Sequence, residues 1–473
     1  MHRNTLGWRV RGLMFLKKEI FSKYQENLMA KFNKSLVAGA VAVAFGVSAG
    51  FAQAGSKELV EKMYELGKIN DAEYKELSEA AKPADNELIG KYKGGFKWAT
   101  ADGSSKLQIA GRIQADYYDY NHDEEEDTFG MRRVYFGVKG QIDNIWKFEA
   151  TQNLDENELE YGFVNYGPSK AFNARFGAQK FYAGFEEGTS SRYTDFLERS
   201  VADGLQPGKQ IGVQIFGEPV KKTFFYALGY YNGEGKNADD AGGGTSDGKD
   251  QMIALAYNAA GVMGGAKDLV AHVGFASSSG SRAAGNGTLF ELDGEARGDT
   301  FGRVDLIAGA NEFTRDHNNT SIVVAKGPYK LQTERTTVSF DAVDGAGNTQ
   351  NDKVKATYTS ITWMITGEHY ASAYKMTGMG GIKPKNPVTK SGGLGAWEVG
   401  YRNSKWDAQD VAAANYTGAT RVTTDTIGLK WIPNEKVRFM LNQVTTKYND
   451  FTQVGANVRG SEKAIILRSQ LDF

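Results

Sequence analysis

From about residue 94 to its end the chain alternates apolar and polar residues with a period of two, and this limits its possible folds more than any other feature. Leu107, Ile109, Gly111, Ile113, Ala115 and Tyr117 interleave with Lys106, Gln108, Ala110, Arg112, Gln114 and Asp116. Val134, Phe136 and Val138 interleave with Arg133, Tyr135, Gly137 and Lys139, and Trp146, Phe148 and Ala150 with Lys147, Glu149 and Thr151. Phe172–Ala178 alternates with Asn173, Arg175, Gly177 and Gln179, and the pattern returns at Ile211–Ile215, Trp397–Tyr401, Ile427–Trp431 and Val437–Leu441. Successive side chains of a strand point to opposite faces, so each run has one apolar row and one polar row. Fifty-seven glycines against eight prolines suit many strands joined by many turns.

A soluble sandwich also alternates. Three features favour a transmembrane barrel instead. The connections alternate in length: Gln141–Asn144, Gly167–Lys170 and Glu218–Lys222 are short, whereas Asn121–Thr128, Lys180–Lys209 and Asn232–Lys249 are long. Aromatic residues gather near run ends (Tyr117, Tyr118, Tyr120, Tyr226, Tyr230, Tyr231, Trp431), as two interfacial girdles require. The final run, Ile465 to Phe473, places Ile465, Leu467, Ser469, Leu471 and Phe473 on one face, like the closing strand of an outer-membrane protein. The expected fold class is all-β: a transmembrane antiparallel β-barrel preceded by a short α-helical hairpin. At roughly 45–50 residues per strand pair, the 380 or so residues of the barrel give about 16 strands. A barrel of that size encloses water.

The alternation is preceded by two other segments. Lys31 and Lys34, the apolar stretch Leu36–Ala52 and the Ala52-Gln-Ala54 site form a secretory signal, with the start placed at Met29 and cleavage after Ala54. After it, Leu59, Met63 and Leu66 predict one helix ended by Gly67, and Tyr74 and Leu77 a second, capped by Asn70 or Asp71 and ended by Pro83. The expected organisation is thus 1–54 signal peptide, 55–93 periplasmic helical segment and 94–473 barrel.

Little in the sequence suggests catalysis. There is no cysteine, so thiol nucleophiles and Cys-ligated metals are absent, and the five histidines form no zinc-binding motif. No cofactor is expected, nor a nucleic-acid partner. His122 to Asp127 reads as a solvated acidic loop. The polar rows carry more. Assigned to the lumen, they contribute Lys106, Arg112, Arg133, Lys139, Lys147, Arg175, Arg402, Lys430, Arg438 and Arg468 against Asp116, Glu149, Glu398 and Asp472. A cationic lumen between low-dielectric walls concentrates anions, and guanidinium groups bind oxyanions bidentately. The long segment Lys180–Lys209 adds Lys180, Arg192, Arg199 and Lys209, and its Phe181, Tyr182, Phe185, Tyr193 and Phe196 suit it to fold inward against the wall. It also carries Glu186, Glu187, Asp195 and Glu198, so its charge is mixed. Net charge conceals this layout. The whole chain has −1, and without the eight basic and two acidic residues up to Ala54 it has −7. The acidity is expected in outer loops such as Asp123–Asp127 and Asp155–Glu160.

Several stretches resemble the phosphate-selective porin O and P family of Gram-negative outer membranes: Met131-Arg-Arg-Val-Tyr-Phe-Gly-Val-Lys-Gly140, Gly177-Ala-Gln-Lys-Phe181, and Thr189-Ser-Ser-Arg-Tyr-Thr-Asp-Phe-Leu-Glu-Arg-Ser200. Trp363-Met-Ile-Thr-Gly-Glu368, Gly380-Gly-Ile-Lys-Pro384, Gly395-Ala-Trp-Glu-Val399 and the last strand extend the likeness in the same order. The resemblance implies a 16-stranded homotrimeric barrel in outer-membrane lipid. An inward loop would narrow each pore, and basic side chains would select small inorganic anions such as phosphate. Residues 280–351 match poorly. A general diffusion porin, an adhesive barrel and a membrane-embedded phospholipase are the competing expectations.

Overall fold

The computed structural model describes residues 60–80, 88–92, 95–122, 127–233, 235, 248–262, 267–283, 288–298, 300–452 and 460–473. The expected signal peptide and most of the acidic run 123–127 lie outside them. The described residues fall into two units.

The smaller unit holds a helical hairpin and two short strands, Leu88–Tyr92 and Phe96–Thr100. Gly67 reverses the chain in the left-handed region (φ 63°). The helix α1 (Asp71–Ala80) is capped by Asn70: its Oδ1 accepts from the amides of Ala72 and Glu73, each at 3.0 Å, while Glu73 accepts from the Asn70 amide at 2.9 Å. This reciprocal box selects Asn70 over Asp71 as the cap. Tyr64 stacks on Tyr74 across the hairpin, with ring centroids 4.3 Å apart.

The larger unit is a closed barrel of 16 antiparallel strands among the described residues. We number them β1 (Lys106–Tyr120), β2 (Thr128–Ile142), β3 (Trp146–Asn153), β4 (Glu158–Tyr166), β5 (Asn173–Lys180), β6 (Lys209–Val220), β7 (Phe224–Tyr231) and β8 (Asp250–Asn258). There follow β9 (Leu269–Ala283), β10 (Ala310–Lys326), β11 (Tyr329–Asp344), β12 (Thr349–Met364), β13 (Ala396–Asp410), β14 (Tyr416–Asn434), β15 (Val437–Thr452) and β16 (Ser461–Asp472). β16 closes on β1, from Ala464 opposite Tyr120 to Asp472 opposite Arg112, and Phe473 exchanges backbone hydrogen bonds with Gly111. Closure leaves no sheet edge, which a membrane requires. Along β16, Ile465, Leu467 and Leu471 are exposed and Ala464, Ile466, Arg468, Gln470 and Asp472 are buried, the parity that the alternation predicts.

Aromatic pairs ring both ends. Trp146–Tyr166, Tyr329–Trp363 and the stack Trp397–Trp431–Phe439 lie near the short-turn end, and Tyr117–Phe129 near the other. Three expected girdle residues are instead interior: Tyr118, Tyr231 and Tyr120, whose hydroxyl donates to the Ala296 carbonyl at 2.9 Å. Tyr118 donates to Asp116 at 2.8 Å and Tyr231 to Gln214 at 2.5 Å. Adjacent tyrosines on a strand cannot share a face, so Tyr118 and Tyr231 turn inward where Tyr117 and Tyr230 turn out.

The expected division into short turns and long loops has exceptions. Leu154–Asn157 is a tight turn, and Glu160 beyond it belongs to the wall of β4, buried, rather than to an outer acidic loop. Conversely, the connection from Met364 to Ala396, at the short-turn end, is long and packs into the barrel: Tyr370, Tyr374, Met376 and Met379 are buried in one cluster with Phe181, Phe185 and Val270. On the opposite end, a hairpin of Thr288–Asp293 with Thr300–Asp305 adds to β14 through Gly302–Val304. Three segments therefore fill the lumen from both ends.

Candidate functional site

The connection 181–208 between β5 and β6 turns into the barrel because its own apolar side chains have their burial there. Phe181, Phe185, Phe196, Leu197, Val201 and Leu205 are each at most 5% exposed. Phe196 seats in a notch made by two glycines opposite one another on β13 and β14, Gly400 and Gly428. A Cβ added there would come within 3.1 and 2.9 Å of its ring.

The acids of this loop hold it to the wall. Glu198 bridges Arg132 at 2.8 Å and Arg468 at 2.7 Å, and Arg468 also holds Asp116 at 2.6 Å. Glu186 meets Arg402 at 3.3 Å, which Glu295 holds from the neighbouring hairpin at 2.5 Å. Asp195 pairs with Lys330 at 2.6 Å, and the amides of Phe185 and Glu186 donate to Glu334 at 3.0 and 2.6 Å. Burial pushes the Glu198 carboxyl up, but its three arginine neighbours outweigh this and hold it well below the usual range. Strict alternation would point Arg132 at the lipid. The register of β1 with β2 shifts between Gln114 and Ala115, where Gln114 faces Arg133 and Ala115 faces Met131. This bulge lets Arg132 and Arg133 both reach the interior, with different tasks.

The remaining space is a chamber of about 470 Å³ bounded by β1–β6, the loop and Lys375–Thr377. Nine cationic side chains line it: Arg112, Arg133, Lys139, Arg175, Lys180, Arg192, Arg199, Lys209 and Lys375. Two carboxylates do, Glu149 and Glu160, with Tyr135, Tyr161, Tyr193, Ser190 and Ser191 among the hydroxyl donors. Eight of the ten candidate residues read from the sequence meet here, although they come from four strands and one loop.

Their partners divide them. Lys209 meets Glu160 at 2.5 Å. Lys180 meets Glu187 at 3.6 Å, and Arg199 meets Glu187 at 2.7 Å and Asp203 at 3.3 Å. Burial pushes the Glu187 carboxyl up, but Arg199, Lys180 and Lys209 outweigh it and set it at about 2. Asp203, the second acid on the same guanidinium, is pushed well up by burial, with Glu187 adding to the rise. Arg192 lies 3.5 Å from Asp472. The remaining three arginines donate to neutral side chains. Arg112 donates to Ser191 at 2.8 Å and lies over the Tyr135 ring at 4.5 Å, with its Nε buried and without an acceptor. Arg133 donates to Gln114 at 3.1 Å. Arg175 donates to Asn165 at 3.3 Å and is held between Phe163 and Phe216 at 4.3 and 4.7 Å. Guanidinium groups fixed by rings and neutral acceptors keep their charge for a ligand.

Two candidates stand elsewhere. Lys147 is exposed in an adjoining cavity of about 410 Å³ toward the short-turn end, which shares Arg175 and Lys375 with the chamber and adds Lys170, Lys221 and Lys222. Arg438 is only 2% exposed: it binds Asp472 at 2.8 Å beneath the Tyr193 ring and does not line the chamber. Its direction follows from parity, but its partner sits on β16, which periodicity does not reveal. Lys375 was missed because its segment has no period at all.

The model of the family described as Phosphate-selective porin O and P matches residues 107–473. Porin O of Pseudomonas aeruginosa is 26% identical over 404 residues, covering 77% of this chain and 88% of that protein. Among solved structures, OmpT of Vibrio cholerae, an outer membrane protein, superposes with a TM-score of 0.50 at 11% identity, over 78% of this chain and 98% of that one. The inward loop, the cationic chamber and the closed 16-stranded wall therefore belong to a porin of the Gram-negative outer membrane, and the chain is a member of the phosphate-selective porin O and P family.

Proposed function

We propose that the chamber is the selective constriction of a passive channel for small inorganic oxyanions, phosphate among them. The observation that carries this reading is the lining of nine cations against two carboxylates, with Arg112, Arg133 and Arg175 held by neutral groups. Electrostatic focusing in a low-dielectric channel raises the local anion concentration, and fixed donors replace the water an oxyanion sheds. Arg112, Arg133, Lys139, Arg175, Lys180, Arg192, Arg199 and Lys209 form the binding ring. Lys147 acts in the adjoining cavity, and Arg438 serves the wall. No chemical step is involved, so the protein acts as a channel rather than an enzyme. We place it in lipid as a homotrimer, with 1–54 as its export signal and 55–93 on the periplasmic side. The sequence likeness to Porin O and the family match support this assignment.

The test is planar-bilayer conductance of the purified protein. Expected are an anion-selective reversal potential in a salt gradient and a chloride current that phosphate blocks at micromolar to millimolar concentration. A cation-selective reversal potential would overturn the reading.

A further inference from the structure

The outer wall of the barrel carries a line of cations of its own. Leu331 on β11, Tyr401 on β13 and Leu441 on β15 are exposed apolar side chains. Toward the long-loop end the outward row of each strand turns polar and then reaches Arg335, Lys405 and Lys447, all three exposed. Strand pairing sets them on one line across the sheet. Arg335 lies opposite Thr357, Thr357 opposite Lys405, Lys405 opposite Thr423, Thr423 opposite Lys447, and Lys447 opposite Ser461. Every second strand supplies a cation and every strand between supplies a hydroxyl. Strands lie about 4.8 Å apart, so successive cations are about 10 Å apart.

None of the three takes part in an ion pair among the described residues. Their counterparts in the adjoining row do: Lys355 meets Asp410, and Arg421 meets Asp450. The acids beside the line are engaged elsewhere. Asp425 accepts from Tyr401 at 2.5 Å and from Asn403 at 2.8 Å, and Asp407 accepts from the Gln409 amide at 3.0 Å. An unpaired charge on the outer wall of a barrel is costly beside acyl chains and tolerated near the headgroups, where anionic lipid attracts Lys and Arg. On the long-loop side those headgroups are phosphorylated sugars.

We infer that the line from Arg335 to Ser461 docks the phosphate groups of the outer-leaflet glycolipid. Lys405 and Lys447 act as point charges, and the Arg335 guanidinium takes a phosphate bidentately. Thr357, Thr423 and Ser461 donate hydroxyl hydrogen bonds between them. The exposed row below, Leu331, Ile361, Tyr401 and Ile427, is itself in register and takes the acyl chains. The site lies outside the lumen and does not depend on which ions the channel passes.

The test is titration of the purified porin in detergent with diphosphoryl lipid A and with its dephosphorylated form, bound lipid being counted by native mass spectrometry. Wild type should hold the diphosphoryl form about tenfold more tightly. Arg335→Gln, Lys405→Gln and Lys447→Gln should each weaken it by about fivefold. Lys355→Gln combined with Arg421→Gln removes two cations that are already paired and should change binding by about twofold or less. If that double variant loses as much as the line variants do, overall surface charge attracts the lipid and the inference is overturned. Equal binding of the two forms also overturns it, because the acyl chains then suffice. A changed oligomeric state with lipid binding unaltered overturns it as well, marking this face as a contact between copies. Chloride conductance of each variant should match wild type, which reports an intact barrel.

Discussion

The two sides of the barrel interior carry the same residue types and use them in opposite ways. On the side of β10–β16, Lys330, Arg402, Lys430, Arg438 and Arg468 each meet a carboxylate at 2.5–2.8 Å and are almost fully buried. On the side of β1–β6, Arg112, Arg133 and Arg175 meet serine, glutamine, asparagine and aromatic rings. The first set neutralises the acids of the loop and wall, and the second leaves its charge facing open space. A census of basic residues along the strands therefore overstates the field an ion meets. Which cation is structural and which belongs to the site is decided by its nearest acceptor, because a desolvated charge is tolerated only when paired.

Removing a member of the paired set should give the largest effect. Glu198→Ala leaves Arg132 and Arg468 without their shared carboxylate and should destabilise the barrel by about 3–5 kcal/mol, read as a lower melting temperature of the purified protein. An unchanged melting temperature would show that the loop is not held by its acids. The next effect contrasts the two sides directly. Arg133→Ala should weaken phosphate block by about tenfold or more with little change in melting, whereas Arg438→Ala should lower melting and leave block nearly as it was. If both variants lose block alike, the division between the sides fails. Gly428→Val fills the notch beneath Phe196 and should cost about 1–3 kcal/mol, with noisier single-channel current as the loop loosens.

The smallest effect is that of pH. The Glu187 carboxyl, at about 2 against an ordinary 4.5, stabilises fully above 4.5 and loses this contribution as pH falls toward 2. Glu198 is shifted in the same direction. Asp203 is shifted upward, so the folded chain takes up its proton first and gains stability as pH falls through that raised value. Melting temperature should hold or rise from pH 8 into mild acidity and decline only below about 4.5. A decline that starts near pH 6 would mean that the loop acids are unpaired.

Much of this molecule is legible in its sequence, for an identifiable reason. Period two is a local property, so it gives the direction of every side chain on a regular strand, and Arg112, Arg133, Lys139, Arg175 and Arg438 all point where it says. What it cannot give is the partner a side chain takes on a neighbouring strand. Arg438 and Arg112 both neighbour Asp472, but Arg438 binds it at 2.8 Å whereas Arg112, opposite it across β1 and β16, donates to Ser191. Nor does it survive a bulge, which is how Arg132 escapes it. Residues 365–395 show no period because they make short helical and hairpin turns inside the barrel, so Lys375 had no signal to betray it.

The loop after β5 and the segment after β12 enter from opposite ends and meet. The Met379 amide donates to Thr189 Oγ1 at 2.8 Å, and neither Gly188 nor Gly378 has room for a side chain against the other segment. These partners lie 190 residues apart in the chain. A contact that closes so long a stretch of chain must repay a large loop-closure entropy, so the junction depends on the strands that bring the two segments together. The filter is therefore shaped jointly by two segments that enter from opposite mouths of the barrel, and a change in either one reshapes it from afar.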